Sequence, residues 1–250
     1  MFRLPRLFLL LALTLPALAG PRPVTVAAAA DLRWALEEVC QGAQKAHPGL
    51  QVKVTYGSSG QFYAQLVQRA PFDLFLSADL DYARKLKDQG LGGTPFQYAL
   101  GKLVLWVPAE SKLDLERLGL AAVLDPSIRH LALGNPAHAP YGKAAEAALT
   151  RAGLAGKVQA KQVLGENIAQ AAQFVQTGAA EAGLLALSLA KAPELASRGR
   201  YWVVPQELYP PLQQGGLILA WAKDPEAAGW FREFLLGPEG RAILKRYGFE

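Results

Sequence analysis

The segment Val24–Leu32, which reads VTVAAAADL, decides the fold, because the chain passes there from strand to helix through a run of small residues. The first three residues are mostly β-branched and predict a strand. Apolar residues then recur at alternating spacings of three and one from Leu32 to Ala43, which predicts a helix with one apolar face. Pro48-Gly49 predicts its end. A strand that leads directly into an amphipathic helix is the repeating unit of α/β folds.

The same alternation continues to the C terminus. Further strands are predicted at residues 51–56, 74–77, 103–107, 130–133, 161–164, 183–186, 201–204 and 216–220. Further helices are predicted at residues 61–68, 83–89, 142–152, 169–176, 227–235 and 239–247. The units fall into two sets, which predicts a first lobe at residues 20–100, a second at 101–205 and a return of 206–250 to the first. We expect hinge residues near Gly101 and Pro205.

Residues 1–19 have the pattern of a secretory signal peptide. Arg3 and Arg6 precede an apolar run of about nine residues, and Ala17-Leu18-Ala19 supplies a small-x-small cleavage site. The run is too short to cross a bilayer, which takes about 20 residues. We therefore expect cleavage after Ala19 and export to the periplasm. No cysteine stands at the cleavage site to carry a lipid anchor.

Composition excludes several classes of function. The formal net charge is +5, but basic and acidic residues are interspersed, so no nucleic-acid partner is expected. The only cysteine, Cys40, has no partner for an internal disulfide. The three histidines, His47, His130 and His138, have no metal-site spacing. We expect neither a cofactor nor a protein-bound metal.

Four predicted junctions carry small residues or hydroxyls where a helix begins. They are Ala27–Asp31, Tyr56–Gly60, Asn135–Gly142 and Gly165–Ile168. Free backbone N–H groups at helix starts, aided by the helix dipole, bind anions without a fixed positive charge. One such junction is usually an ordinary cap, but four together predict an oxyanion site. A site of donors alone also excludes ligands that keep a proton, because those require an acceptor.

At these segments the chain resembles the periplasmic molybdate-binding proteins of the ModA family. The resemblance runs through essentially the whole chain after the signal peptide, with the blocks in family order. The matching blocks are VTVAAAADL (24–32), VTYGSSG (54–60), APFDLFLSAD (70–79), NPAHAPYG (135–142), LGENIAQAAQFVQTG (164–178) and GPEGRAILKRYGF (237–249).

The resemblance implies a two-lobed α/β fold of the class II periplasmic binding proteins, with mixed sheets flanked by helices. An oxyanion, molybdate and also tungstate, is then buried in the interlobe cleft. Serine hydroxyls and backbone N–H groups hold its oxygens, and no residue binds the metal atom directly. The positions that correspond to ligand-binding residues are Ala30, Asp31, Ser58, Ser59, Tyr141 and Ile168. The implied partner is an inner-membrane ABC permease, and we expect a monomer that delivers the anion by diffusion.

Two departures from the family pattern concern donors. Some members have serine at the position of Asp31, and a carboxylate there would repel a dianion by several kcal/mol in a low-dielectric cleft. We therefore expect Asp31 to cap its own helix and to offer at most its N–H. Some members also place a ligating tyrosine in the segment equivalent to residues 183–188, where this chain has Ala186. The hydroxyl of Tyr141 is our candidate for the missing donor.

Other functions remain as alternatives. Sulfate has the same charge and shape as molybdate but shorter bonds, so a sulfate-binding protein of the same fold is the nearest one. An exported hydrolase is disfavoured, because Gln61 stands where the G-x-S-x-G elbow requires glycine. A ligand-sensing domain would need a DNA-binding segment before residue 24. We expect a binding protein and no enzyme.

Overall fold

The computed structural model describes residues 20–250, so the predicted signal peptide at 1–19 lies outside the described residues. The strands are β1 Arg22–Ala29, β2 Leu50–Gly57, β3 Leu74–Ser77, β4 Phe96–Gly101, β5 Leu103–Pro108, β6 Leu131–Gly134, β7 Gln162–Gly165, β8 Ala182–Ala186, β9 Gly199–Val203 and β10 Leu212–Ile218. The α-helices are α1 Arg33–Ala46, α2 Ser59–Val67, α3 Leu80–Asp88, α4 Leu115–Leu118, α5 Pro140–Arg151, α6 Ala155–Val158, α7 Ile168–Gln176, α8 Leu187–Ala190, α9 Pro193–Ala196, α10 Pro225–Leu236 and α11 Pro238–Arg246. Short 3₁₀ helices cover Ala30–Leu32, Gly119–Leu124, Gln159–Lys161 and Gln206–Leu208.

The first sheet has the strand order β2-β1-β3-β10-β4. β1 pairs in parallel with β2 and β3, whereas β10 runs antiparallel to β3 and β4. Because successive side chains of a strand point to opposite faces and helices cover both faces of this sheet, the side chains of β1 alternate between two apolar layers. Val24, Val26 and Ala28 pack with α1, α10 and α11. Ala27 faces the opposite layer, with α2 and α3.

The second sheet repeats this plan with the order β7-β6-β8-β5-β9. β6 pairs in parallel with β7 and β8, and β5 runs antiparallel to β8 and β9. Each sheet therefore has three parallel strands followed by one antiparallel strand and an outer strand. Two mixed sheets flanked by helices confirm the predicted fold class.

The chain crosses between the sheets at two adjacent places. The first crossing, at Lys102, joins β4 to β5, and the second follows β9. The two are tied together, since Val204 N–H donates to Leu103 O at 3.0 Å. The Leu103 N–H donates to the Tyr209 hydroxyl at 3.1 Å. β10 lies in the first sheet, while the lobe limits near residues 100 and 205 stay a prediction.

Two strands of the first sheet differ from the sequence prediction. β4 was not predicted, and the strand expected at residues 216–220 is β10, Leu212–Ile218. Gln213, Gln214 and Gly215 have low strand propensity, so local sequence gives no signal there. Pairing on both sides, with β3 and β4, forms this strand instead. Strand propensity is overridden by tertiary context.

No helix within residues 20–250 is both long enough and apolar enough to cross a membrane.

A buried carboxylate anchors the returning segment to the first sheet. Asp73 is 2% exposed. Its Oδ2 accepts from the N–H and the hydroxyl of Thr25 at 2.7 and 2.6 Å. Its Oδ1 accepts from the N–H of Lys223, which follows β10, at 2.7 Å. One side chain therefore holds β1 and the end of the return strand in place.

We expect Asp73→Ala to lower the free energy of unfolding by about 2–4 kcal/mol, because it leaves buried donors without an acceptor. Urea unfolding followed by circular dichroism measures this. Asp88→Ala, at the exposed end of α3, is the matched control and should change stability by less than about 0.5 kcal/mol. Equal effects of the two substitutions would contradict the anchoring role.

Candidate ligand-binding site

A small cavity lies between the two sheets, where the parallel strands of both end. It has about 200 Å³ of space between protein atoms, part of it open to solvent. It is lined by Ala29, Ala30, Asp31, Gly57, Ser58, Ser59, Ala78, Ala139, Pro140, Tyr141, Asn167 and Ile168. All six residues proposed from the sequence are among them, and their contact with a ligand stays a prediction. The position agrees with the rule that α/β sheets bind ligands beyond the carboxyl ends of their strands.

Ser59 is the first residue of α2, where backbone N–H groups lack partners within the helix. The side chain is 1% exposed. Its oxygen accepts from Ala78 N–H at 3.0 Å, in the connection after β3. Within residues 20–250 the hydroxyl proton has no acceptor. Ser59 can therefore donate twice to a ligand, from its backbone N–H and from its hydroxyl.

The adjacent Ser58 has a different role. Its hydroxyl donates to the backbone oxygen of His138, in the other lobe, at 2.5 Å. Nδ1 of His138 lies 3.0 Å from the same hydroxyl, and Gly60 N–H donates to His138 O at 3.0 Å. Ser58 and Gly60 of the first lobe therefore both donate hydrogen bonds to His138 of the second lobe.

In the second lobe, α5 and α7 also begin at the cavity. α5 starts with Pro140, which has no N–H, so Tyr141 carries the first free N–H of that helix. Asn167 caps α7, and its Oδ1 accepts from Ala169 N–H and Gln170 N–H at 3.0 Å each. This capping leaves the N–H of Ile168 as the one free for a ligand. Asn167 was not among the site residues predicted from the sequence, although asparagine just before an apolar helical pattern is a capping signal.

Gly134 brings the two helix starts of the second lobe together. A Cβ placed on this last residue of β6 would lie 3.6 Å from Gly142 N and 3.7 Å from Ile168 N. The two N-termini thus flank the end of one strand. Within residues 20–250 no Lys or Arg lines the cavity, so attraction for an anion has to come from N–H groups and helix dipoles.

The position of the Asp31 side chain contradicts one prediction made from the sequence. It is 1% exposed, and no side chain caps the 3₁₀ helix Ala30–Leu32 or α1. The expectation that Asp31 caps its own helix was wrong, because the residue lies inside the 3₁₀ turn and its side chain is held from β10. Oδ2 accepts from Gln214 Nε2 at 2.5 Å. Oδ1 has no hydrogen-bond partner within residues 20–250.

Burial raises the pKa of the Asp31 carboxyl from 3.8 to about 6. The Gln214 amide and the nearby Tyr141 hydroxyl offset part of that rise. An ionised Asp31 within 4 Å of a dianion would repel it by about 8 kcal/mol at an effective dielectric constant of 20. Of the described residues that line the cavity, Asp31 is therefore the one whose charged form opposes anion binding.

The hydroxyl of Tyr141 belongs to a buried polar group that we call the Asp31 cluster, formed by Asp31, Gln214, Tyr141 and Tyr98. Gln214 Nε2 donates to the Tyr141 hydroxyl at 3.1 Å. The Tyr98 hydroxyl lies 3.0 Å from Gln214 Oε1. Burial and the Asp31 carboxylate raise the Tyr141 pKa well above its ordinary value, so the phenol stays neutral. The cluster gives this hydroxyl a protein partner, and its role as the missing ligand donor stays a prediction.

Further contacts close the cleft around the cavity. Gln61 Nε2, on α2, donates to Glu166 Oε2 of the second lobe at 2.7 Å. The Ser188 hydroxyl, on α8, donates to the backbone oxygen of Asp31 at 2.8 Å. Both sides of the cavity are thus bridged from lobe to lobe. Within residues 20–250 no group of three or more His, Cys, Asp or Glu could hold a metal ion.

Comparison with known proteins places the chain in a family. The family model described as bacterial extracellular solute-binding protein matches residues 24–250. The molybdate-binding protein ModA of Azotobacter vinelandii is 38% identical over 251 residues, covering 99% of this chain and 98% of that protein. ModA of Rhodobacter capsulatus is 37% identical, covering 97% of this chain and 93% of that protein.

Solved structures agree with the sequence matches. The periplasmic molybdate-binding protein of Azotobacter vinelandii has a TM-score of 0.83 and 33% sequence identity, covering 91% of this chain and 98% of that chain. The sulfate-binding protein SubI of Mycobacterium tuberculosis has a TM-score of 0.72 at 17% identity, covering 91% of this chain and 86% of that chain. The second match shows a shared fold alone.

The chain therefore belongs to the bacterial extracellular solute-binding proteins, and it has their two-lobed α/β fold. The resemblance to the ModA family within that class is confirmed by the two ModA relatives. Because the family consists of binding proteins, the prediction that the chain is no enzyme is confirmed as well.

The raised pKa of Asp31 predicts a pH-dependent stability in the absence of anions. Between about pH 4 and pH 6 the folded protein keeps the Asp31 proton while the unfolded chain has lost it. Stability contributed by this group is thus complete below about pH 4 and is lost as pH rises through about 6. The loss is about 3 kcal/mol, at about 1.4 kcal/mol per pKa unit. Asp31→Asn should remove this loss, as measured by urea unfolding of both proteins from pH 4 to pH 7. Parallel curves would contradict the shift.

Proposed function

We propose that the protein captures a tetrahedral oxyanion, molybdate and also tungstate, in the periplasm and delivers it to an ABC permease. The observation that carries this proposal is the convergence of helix starts from both lobes on one cavity, whose lining within residues 20–250 has no basic side chain. Such a cavity suits an anion that is fully ionised and small enough to be enclosed. The ModA relatives, which carry molybdate in their names, support this choice of oxyanion.

The donors come from both lobes. Ala30 and Asp31 offer backbone N–H groups, and Ser59 offers its N–H and its hydroxyl. Tyr141 and Ile168 complete the set with backbone N–H groups from α5 and α7. Ser58 uses its hydroxyl mainly to bind His138 of the other lobe. The anion's oxygens, rather than its metal atom, receive all these hydrogen bonds.

Capture proceeds by closure of the lobes, which we assign to residues 20–100 with 206–250 and to residues 101–205. Gly101 and Pro205 lie next to the two crossings and absorb the rotation. The mature protein begins after cleavage at Ala19 and acts as a monomer that docks in its closed form on the permease. It needs no cofactor, because binding and release are the whole of its activity.

The first test is thermal unfolding of the purified protein with molybdate, tungstate, sulfate, phosphate or no anion. A ligand at a thousandfold excess over its dissociation constant stabilises by about 4 kcal/mol. For a chain of this size that raises Tm by about 10 °C. We expect this rise with molybdate and tungstate and little with sulfate.

A larger rise with sulfate would keep the transport role and change the ligand to sulfate. No rise with any of the four anions would refute the proposal, and the helix starts would then be ordinary caps.

Closure itself is tested at Gly60. A Cβ on this residue would lie 2.7 Å from the backbone oxygen of His138 and 2.9 Å from its Cα. These are backbone atoms of the other lobe, so Gly60→Ala should obstruct closure and weaken molybdate binding at least tenfold. Isothermal titration calorimetry measures the affinity.

The matched control for Gly60→Ala is Gly156→Ala, in a short helix of the second lobe. A Cβ there meets nothing within 4 Å, so molybdate affinity should stay unchanged. Unaltered affinity of Gly60→Ala would show that the close contact between Gly60 and His138 is not needed for binding.

A further inference from the structure

The least expected group in the cavity is the carboxyl of Asp31, and the inference drawn from it rests on the proposed function. Asp31 lines the cavity and is 1% exposed. Oδ2 is held by Gln214, whereas Oδ1 has no partner within residues 20–250. The Ser188 hydroxyl holds the backbone oxygen of the same residue. Gln214 of the first lobe therefore fixes the carboxyl, and Ser188 of the second lobe fixes the backbone that carries it.

Among the described residues 20–250, no basic side chain compensates this carboxyl. The side chains that face it are Gln214 on β10, Tyr141 on α5 and Tyr98 on β4, and all are neutral near pH 7. The nearest base along the chain, Arg33, lines a neighbouring crevice and lies over the ring of Trp34, 5.3 Å from its centroid. An ionised Asp31 beside a bound dianion would thus be two like charges in one closed cavity.

We propose that the anion binds together with one proton, which Asp31 Oδ1 and an oxygen of the ligand share. The proton comes from solvent and no other bond is made or broken, so a dianion captured near neutral pH takes up one proton per binding event. The protonated carboxyl then donates to the anion and supplies the donor that a serine supplies in other members of the family. The ligand of this site is a tetrahedral oxyanion plus a proton.

Two further observations support the proton. Burial already raises the Asp31 pKa to about 6 before any anion is present, and a nearby dianion raises it further. Oδ1 is also the only unpaired side-chain oxygen among the described residues that line the cavity. A shared proton satisfies that oxygen, which an ionised carboxylate facing an anion leaves unpaired.

The experiment is calorimetric titration of the wild-type protein with molybdate at pH 8, in two buffers of different ionisation enthalpy. The difference in observed enthalpy gives the number of protons taken up. We expect close to one for the wild type and close to zero for Asp31→Asn, whose amide donates without a proton from solvent. Between pH 7 and pH 9 the wild-type affinity should fall about tenfold per pH unit, and that of Asp31→Asn should stay constant.

Asp81→Asn is the matched control, because it removes an exposed carboxylate from the same lobe. It should keep the proton uptake and the pH dependence of the wild type.

The failures of the two proposals are distinguishable. If the wild type binds none of the four oxyanions, the proposed function fails before any proton is counted. If the wild type binds molybdate without proton uptake, the shared proton is refuted and the function stands. Should Asp31→Asn fail to fold, the proton count of the wild type alone decides between these results.

Discussion

The proposed function requires the protein to enclose a small anion in a cavity whose lining, within residues 20–250, has no basic side chain. Positive potential then has to come from backbone N–H groups, and the start of a helix presents several free N–H groups together with the positive end of the helix dipole. Each sheet supplies several such starts, because its parallel strands end at the cleft and lead into helices. The α/β plan of both lobes is thus the means of bringing enough N–H donors to one point.

The Asp31 cluster connects the cavity to the contact between the two lobes. Gln214 lies on the strand that returns to the first sheet, and its amide contacts both Asp31 and the Tyr141 hydroxyl of the other lobe. A Cβ on Gly101 would lie 2.3 Å from that hydroxyl, so the first crossing between sheets leaves room for it. Through Gln214, the buried carboxyl of Asp31 is thus connected to a side chain of the other lobe.

Much of the fold follows from local pattern. The helix predicted from Leu32 onwards is α1, and its buried residues Ala35, Leu36, Val39 and Ala43 are among those that marked its apolar face. Strands made of β-branched and apolar residues were predicted in the same way. The start of β10 was missed because Gln213-Gln214-Gly215 gives no strand signal, and β4 was missed although Phe96 and Tyr98 favour strands. The two strands pair with each other only after distant segments come together.

The alternation of strands and helices follows from periodicity and helix-start signals, which are local properties of the chain. The family resemblance, carried by short blocks of sequence, implied six of the residues that line the cavity. Tertiary structure alone decided what each polar side chain does. Ser58 and Ser59 are adjacent and chemically identical. The Ser58 hydroxyl donates to His138 across the cleft, whereas the Ser59 hydroxyl has no acceptor for its proton within residues 20–250. Asp31 was expected to cap a helix, but its side chain is instead a buried acid that binds Gln214, 183 residues away in sequence. Hydrogen-bond partners so distant along the chain leave no local signal, since only folding brings them within 3 Å.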